Sequence, residues 1–130
     1  MDTPGFHIAT TVQREVLVLR PAGWLNFANC AELERILDAA DKAGHRRVVI
    51  DLSASHFLDQ MAMSSLVLWK GRLEDRGGRL VLATPSGPAM GALRAGGLHN
   101  YLPVAASLSE ALVLARHRIS SGRLQSVARN

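Results

Sequence analysis

The sequence predicts an α/β protein: a single domain with a mixed, mostly parallel central sheet of about five strands and about four helices. Three observations carry this expectation. Short apolar runs rich in β-branched residues, at residues 16–19, 48–52 and 80–83, have the composition of strands buried on both faces. The stretches between them place apolar residues at helical spacing with charges opposite. Those helical stretches stop at glycine, at Gly44, Gly77-Gly78 and Gly96-Gly97.

In chain order, Ile8, Thr10 and Val12 alternate as in a half-buried strand. Gln13-Arg14-Glu15 is a polar turn, and residues 16–19 form the second arm of a hairpin. Pro21-Ala22-Gly23 is expected to end it, with Trp24-Leu25-Asn26-Phe27 leading into a helix. Asn29 followed by Glu32 resembles a capping box. Leu33, Ile36, Leu37 and Ala40 form the core stripe of that helix, and Glu34, Arg35, Asp38, Asp41 and Lys42 its solvent face.

Residues 48–52 are the central strand. A polar loop, Phe57-Leu58 and Asp59 follow, and a helix is expected over about 61–76. Asp59 and the next residues therefore stand at a helix N-terminus just past a strand's carboxyl end. Free backbone N–H groups point outward at such a place, and sites in open α/β folds gather there. Met63, Leu66, Val67 and Leu73 read as this helix's core face. Met61, Ser65, Leu68 and Arg72 form a second stripe beside Trp69, either an interface or, through Leu68 and Trp69, further packing under a neighbouring helix. Trp24 is a second anchor on the same side. A strand at 80–83, a turn at 84–88, a helix at 89–95 and an edge strand at 102–104 complete the sheet. Ser107 and Glu110 then cap a last helix containing Ala111, Leu112, Leu114 and Ala115.

Composition removes several function classes. At 130 residues, with 48% hydrophobic and 20% charged residues, the chain suits one folded domain. The domain is expected over residues 1–118, with 119–130 a flexible basic tail. Eleven Lys/Arg balance eleven Asp/Glu up to Leu114, so the net charge of +4 comes from Arg116, Arg118, Arg123 and Arg129. A dispersed tail of this kind reads as a solvated end and not as a nucleic-acid arm. No run is long enough to cross a bilayer, and the N-terminal residues lack a signal peptide's pattern, so cytoplasmic residence is expected. Cys30, the only cysteine, reads as a small apolar filler. The five histidines are scattered, so no metal site is expected. No phosphate loop, dinucleotide fingerprint or nucleophile motif is present, and Asp51 and Asp59 do not read as an acid/base pair. No cofactor and no enzymatic activity are expected.

Several landmarks, none specific alone, occur in a telling order from about Phe6 to Arg116. They are Glu15-Val16-Leu17-Val18-Leu19-Arg20, Gly23-x-Leu25-Asn26, residues 48–52, Phe57-Leu58-Asp59, Gly77-Gly78-x-Leu80-Val81-Leu82, and Ala95-Gly96-Gly97-Leu98 before Ser107-x-x-Glu110-Ala111-Leu112. In this order they resemble a STAS domain of the bacterial anti-sigma factor antagonist (anti-anti-sigma) type. The resemblance implies a signalling module in transcription regulation that binds an anti-sigma factor or serine kinase by partner switching. The family's site reads Asp-Ser-Ser/Thr-Gly, with the second hydroxyl phosphorylated. Here the same positions read Asp59-Gln60-Met61-Ala62, so Met61 occupies the acceptor position without an oxygen to modify. Asn26 stands where the family has aspartate.

The expected partner-binding residues are thus Trp24, Asn26, Ser55, Asp59, Gln60, Met61, Ser64, Ser65 and Leu68. Ser64 and Ser65 are the substitute acceptors to consider, against a reading as small residues that let helices approach. A homodimer is a further partner to consider. Other readings are a structural subunit of a lipid-transport ATPase complex or stress-sensing assembly, and a nucleotide or small-molecule sensor.

Overall fold

A computed structural model of the chain describes residues 6–117, and its sheet grows from the apolar runs. Strand β1 (His7–Gln13) and β2 (Val16–Leu25) form an antiparallel hairpin, and α1 (Phe27–Lys42) leads to β3 (Arg47–Asp51). Then come β4 (Ser55–Leu58), α2 (Gln60–Asp75), β5 (Arg79–Ala83), α3 (Gly87–Ala95), a 3-10 turn (Leu98–Asn100), β6 (Val104–Ala105) and α4 (Leu108–Arg116). The strands order as β1-β2-β3-β5-β6, with β4 attached to β2 alone. Every pair except β1–β2 is parallel. The mixed, mostly parallel sheet with four helices is therefore present, with six strands instead of about five.

Two clusters hold the layers together. On one face Leu17, Leu19, Val48, Ile50, Leu80 and Leu82 meet Leu33 and Leu37 of α1, Leu66, Trp69 and Leu73 of α2, and Leu93 of α3. On the other, Val16, Val18, Val49, Val81 and Ala83 meet Ala111, Leu112 and Ala115 of α4. Strands buried on both faces explain why these runs read as continuously apolar.

Four local expectations are corrected. Pro21 does not end the hairpin: β2 continues to Leu25 through a bulge at Gly23/Trp24. Gly23 has φ +114°, a backbone conformation that residues with a side chain rarely adopt, so the bulge favours glycine. The residues after it pair with β4, a strand where the sequence suggests a loop. The cap of α1 is Asn26, not Asn29: the Asn26 side chain accepts from the Asn29 N–H at 3.0 Å. Glu32 pairs instead with Arg35. Asp41, placed on the solvent face by its charge, is 9% exposed and ion-paired to Arg46 and Arg76, the latter at 2.9 Å, which ties the ends of α1 and α2.

The remaining correction concerns α2. Its buried stripe is Ala62, Ser65, Leu66, Trp69 and Leu73, while Leu68 is exposed. The two readings of the Leu68–Trp69 pair thus divide. Trp69 is core, with the Arg72 guanidinium 4.8 Å from its ring centre, and Leu68 is surface. The last helix is capped by Ser107, which accepts from the Glu110 N–H at 3.1 Å, while the Glu110 carboxylate accepts from the Ala106 N–H at 2.9 Å, one residue before the cap. The basic tail and the boundary at residue 118 lie outside the described residues.

Candidate functional site

Asp59 joins the two helices that face the site. Its Oδ1 accepts from the Ala62 N–H at 3.0 Å, capping α2, and its Oδ2 accepts from the Phe27 N–H at 2.7 Å, the first residue of α1. The Asp59 N–H donates to Leu25 O at 3.2 Å. One carboxylate thus satisfies unpaired N–H groups at two helix starts, where the dipoles favour a negative charge. The charge is spent internally, so the surface above it is left apolar.

That surface is aromatic. Trp24 pairs in register with Phe57, and their rings lie 5.3 Å apart at 39°. Trp24 is 52% exposed, Phe57 41%, Phe27 71% and Met61 48%. The Asn29 side-chain amide donates to Trp24 O at 2.7 Å, fixing the strand beneath the indole. Four large apolar side chains exposed around one joint far exceed the scattered single residues of an ordinary surface. The sequence names Trp24 and Met61 individually as expected contacts, and takes in Phe27 and Phe57 only as parts of the loops expected to dock, at residues 23–27 and 53–60. Phe27 becomes legible once Asn26 is recognised as the cap, because the first helical residue then turns outward. Phe57 needed the β2–β4 register, which has no sequence signature.

Of the other expected contacts, Gln60, Ser64 and Leu68 are exposed and Asn26 is partly buried. Ser64 sits beside a shallow groove formed with Gln60, Met63, Val67, Gly96 and Leu98. Ser55 and Ser65 do not fit the expected surface. Ser55 is fully buried and donates to Pro21 O at 2.8 Å. Ser65 is 3% exposed, lies between α1 and α2, donates to Glu34 and accepts from Cys30 Sγ at 3.3 Å. Ser65 lets two helices approach. Burial pushes the Cys30 thiol up, the Ser65 hydrogen bond opposes this, and Glu34 and Asp59 add to the rise, which disfavours the nucleophilic thiolate.

Asp51 serves a different purpose from Asp59. It is 8% exposed, accepts from the Ser53 N–H at 2.9 Å and the Thr84 hydroxyl at 2.7 Å, and lies 3.9 Å from Arg20. Burial alone would raise its carboxyl, but the hydrogen bonds from Ser53 and Thr84, with Arg20, outweigh it and hold the group below the usual carboxylate range. Between the folded value and the unfolded value of about 3.9, the unfolded chain binds more protons. Asp51 therefore stabilises the fold fully above about pH 4, and that contribution disappears as pH falls through the lower folded value. Urea midpoints measured from pH 7 to pH 3 should fall more steeply for the native protein than for Asp51→Asn.

Among the described residues, no group of three or more His, Cys, Asp or Glu is arranged to hold a metal ion. No helix there is long and apolar enough to cross a membrane.

The STAS domain family model matches residues 7–111, and the chain belongs to this family. A comparison with curated proteins finds no match. Among solved structures, a proposed anti-sigma factor antagonist of Thermotoga maritima has a TM-score of 0.78 at 20% identity, covering 85% of this chain and 95% of that one. The Bacillus cell fate determinant SpoIIAA in its phosphorylated form has a TM-score of 0.65 at 22% identity, covering 86% and 100%. A sulfate transporter family protein of Wolinella succinogenes has a TM-score of 0.68 at 23% identity, covering 82% and 88%. At these identities the likeness is one of fold.

Proposed function

We propose that this STAS domain is a non-catalytic signalling module of the bacterial cytoplasm that acts by docking a protein partner of the anti-sigma factor or serine kinase type. The supporting observation is the exposed Trp24–Phe27–Phe57–Met61 cluster at the joined starts of α1 and α2. Aromatic and methionine side chains of this kind form the centres of interfaces. Gln60, Ser64 and Leu68 extend the surface along α2, with Asn26 and Asp59 as its support. Ser55 and Ser65 are left out because they are buried.

Met61 also determines how the docking is regulated. A phosphate at the second residue of a helix would be welcomed by the free N–H groups there, yet its charge of about −2 would disrupt an apolar interface. Met61 cannot carry one. The interaction is therefore not switched off by modification at this position, and a kinase should leave it unmodified. Ser64 is the one exposed alternative of the two serines, so any phosphate mapped by mass spectrometry belongs there. The missing acceptor also favours a second reading, a constitutive structural subunit of a larger assembly.

The test is a calorimetric titration with a purified anti-sigma factor or serine kinase from the same organism. Trp24→Ala should weaken the complex about 10–100-fold, the loss expected of an interface anchor, while changing folding stability little because the indole is half in water. Binding unaffected by Trp24→Ala and Met61→Glu together would overturn the placement of the surface. Absence of any complex at micromolar concentration would count against this class of partner, and co-purification with an ATPase subunit would favour the structural reading.

A further inference from the structure

The outer strand of the sheet is β1, whose far edge pairs with nothing among the described residues. The hairpin register determines which of its backbone groups face that edge. Arg14 and Glu15, with φ of 52° and 69°, form a two-residue turn closed by Gln13 opposite Val16. Such a turn makes its flanking pair a hydrogen-bonded one, and bonded and non-bonded pairs then alternate. Thr11–Val18, Ala9–Arg20 and His7–Ala22 are bonded, whereas Val12–Leu17, Thr10–Leu19 and Ile8–Pro21 are not. The position of Pro21 agrees, since a residue without an N–H belongs in a non-bonded pair. The N–H and C=O groups of Ile8, Thr10 and Val12 consequently point away from β2.

Natural sheets blunt free edges with lysine, proline, bulges or very short strands. The edge here has none of these. His7–Gln13 contains no Lys, Arg, Asp, Glu or Pro, four of its seven residues are β-branched, and Val12 is 58% exposed. The strand also reads symmetrically about its centre. Antiparallel pairing with a copy of itself, with Thr10 opposite Thr10, sets Ile8 against Val12, Ala9 against Thr11 and His7 against Gln13. No like charges meet. The three outward-facing residues of each strand become bonded pairs, giving about six backbone hydrogen bonds across the axis. Ile8 already packs against the main core, so its contact with Val12 of the other copy would extend that core over the junction.

We infer that β1 is a self-association edge, on which a second copy of this chain docks about a two-fold axis at Thr10, making one continuous sheet from two domains. A pairing of single seven-residue strands lies at the small end of interfaces, so dimerisation should be half complete at roughly 10–100 µM. The Trp24–Phe57 cluster is not used, and each copy keeps its own docking surface.

Analytical ultracentrifugation of the full chain over about 5–500 µM should show the mass rising from one chain to two. Thr10 is exposed on the edge strand, so T10K and T10E should fold normally, which circular dichroism can verify. Each places two like charges opposite one another and should weaken the dimer at least tenfold, while an equimolar mixture of T10K and T10E should restore it. Oxidation of T10C should yield a disulfide-linked dimer, since directly opposed residues lie about 5.5 Å apart, and V12C, which faces Ile8, should cross-link far more slowly. A monomer at every concentration, a dimer that T10K and T10E leave intact, or equal cross-linking of T10C and V12C would each overturn the inference.

Discussion

Trp69→Ala should lower the folding free energy by about 3–5 kcal/mol, the range for removing a buried aromatic side chain. Trp69 is 2% exposed and packs between α2 and the sheet among residues that are themselves almost fully buried. The space vacated cannot be closed by one neighbour, because the strands beneath are held in a parallel ladder and Leu66 and Leu73 are fixed on the same helix. The Arg72 guanidinium over the ring loses its partner as well. For a domain of this size, roughly 3–5 °C of melting temperature accompanies each kcal/mol, so thermal unfolding should shift down by about 10–25 °C. Leu68→Ala, one residue away on the exposed side, should shift it by no more than about 2 °C. A Trp69→Ala protein that melts within 5 °C of the native one would remove this residue from the core.

Asp59→Ala should cost about 2–3 kcal/mol, more than an ordinary helix cap, because two charge-assisted bonds disappear, at Phe27 and at Ala62. Asp59→Asn separates capping from charge. Its amide keeps one carbonyl oxygen, which can serve one of the two N–H groups, so roughly half the loss is expected. Urea denaturation of both variants tests this. Equal effects of Ala and Asn would mean that charge, and not the double acceptor, is what matters. Docking should weaken in parallel with the Ala variant, since Phe27 and Met61 are held in relation to one another by this carboxylate.

Much of this was legible in the chain, and the reasons differ by element. Residues 48–52 and 80–83 declared themselves because strands buried on both faces tolerate almost nothing polar. The start of α2 was legible because an aspartate before a helical pattern is a cap by its chemistry. Strand β4 was not: Ser55-His56-Phe57-Leu58 buries only its ends, so neither alternation nor a continuous apolar run appears. Asn26 was hidden by the competing Asn29–Glu32 spacing, and Asn29 is needed instead under Trp24. Asp41 looked like surface because a charge usually is; only the fold brings Arg46 and Arg76 to it. The phase of α2 was off because Ser65 and Ala62, small and nearly silent in hydrophobic patterning, are what let α1 close against it.

The shared carboxylate of Asp59 has a consequence for entropy. Helix ends ordinarily fray independently, each first turn opening at little cost. Here the opening of one start strips an acceptor from the other, so the two turns melt together or not at all. Whatever settles on Trp24, Phe27, Phe57 and Met61 meets a surface already ordered by folding, and little conformational freedom remains to be lost on contact.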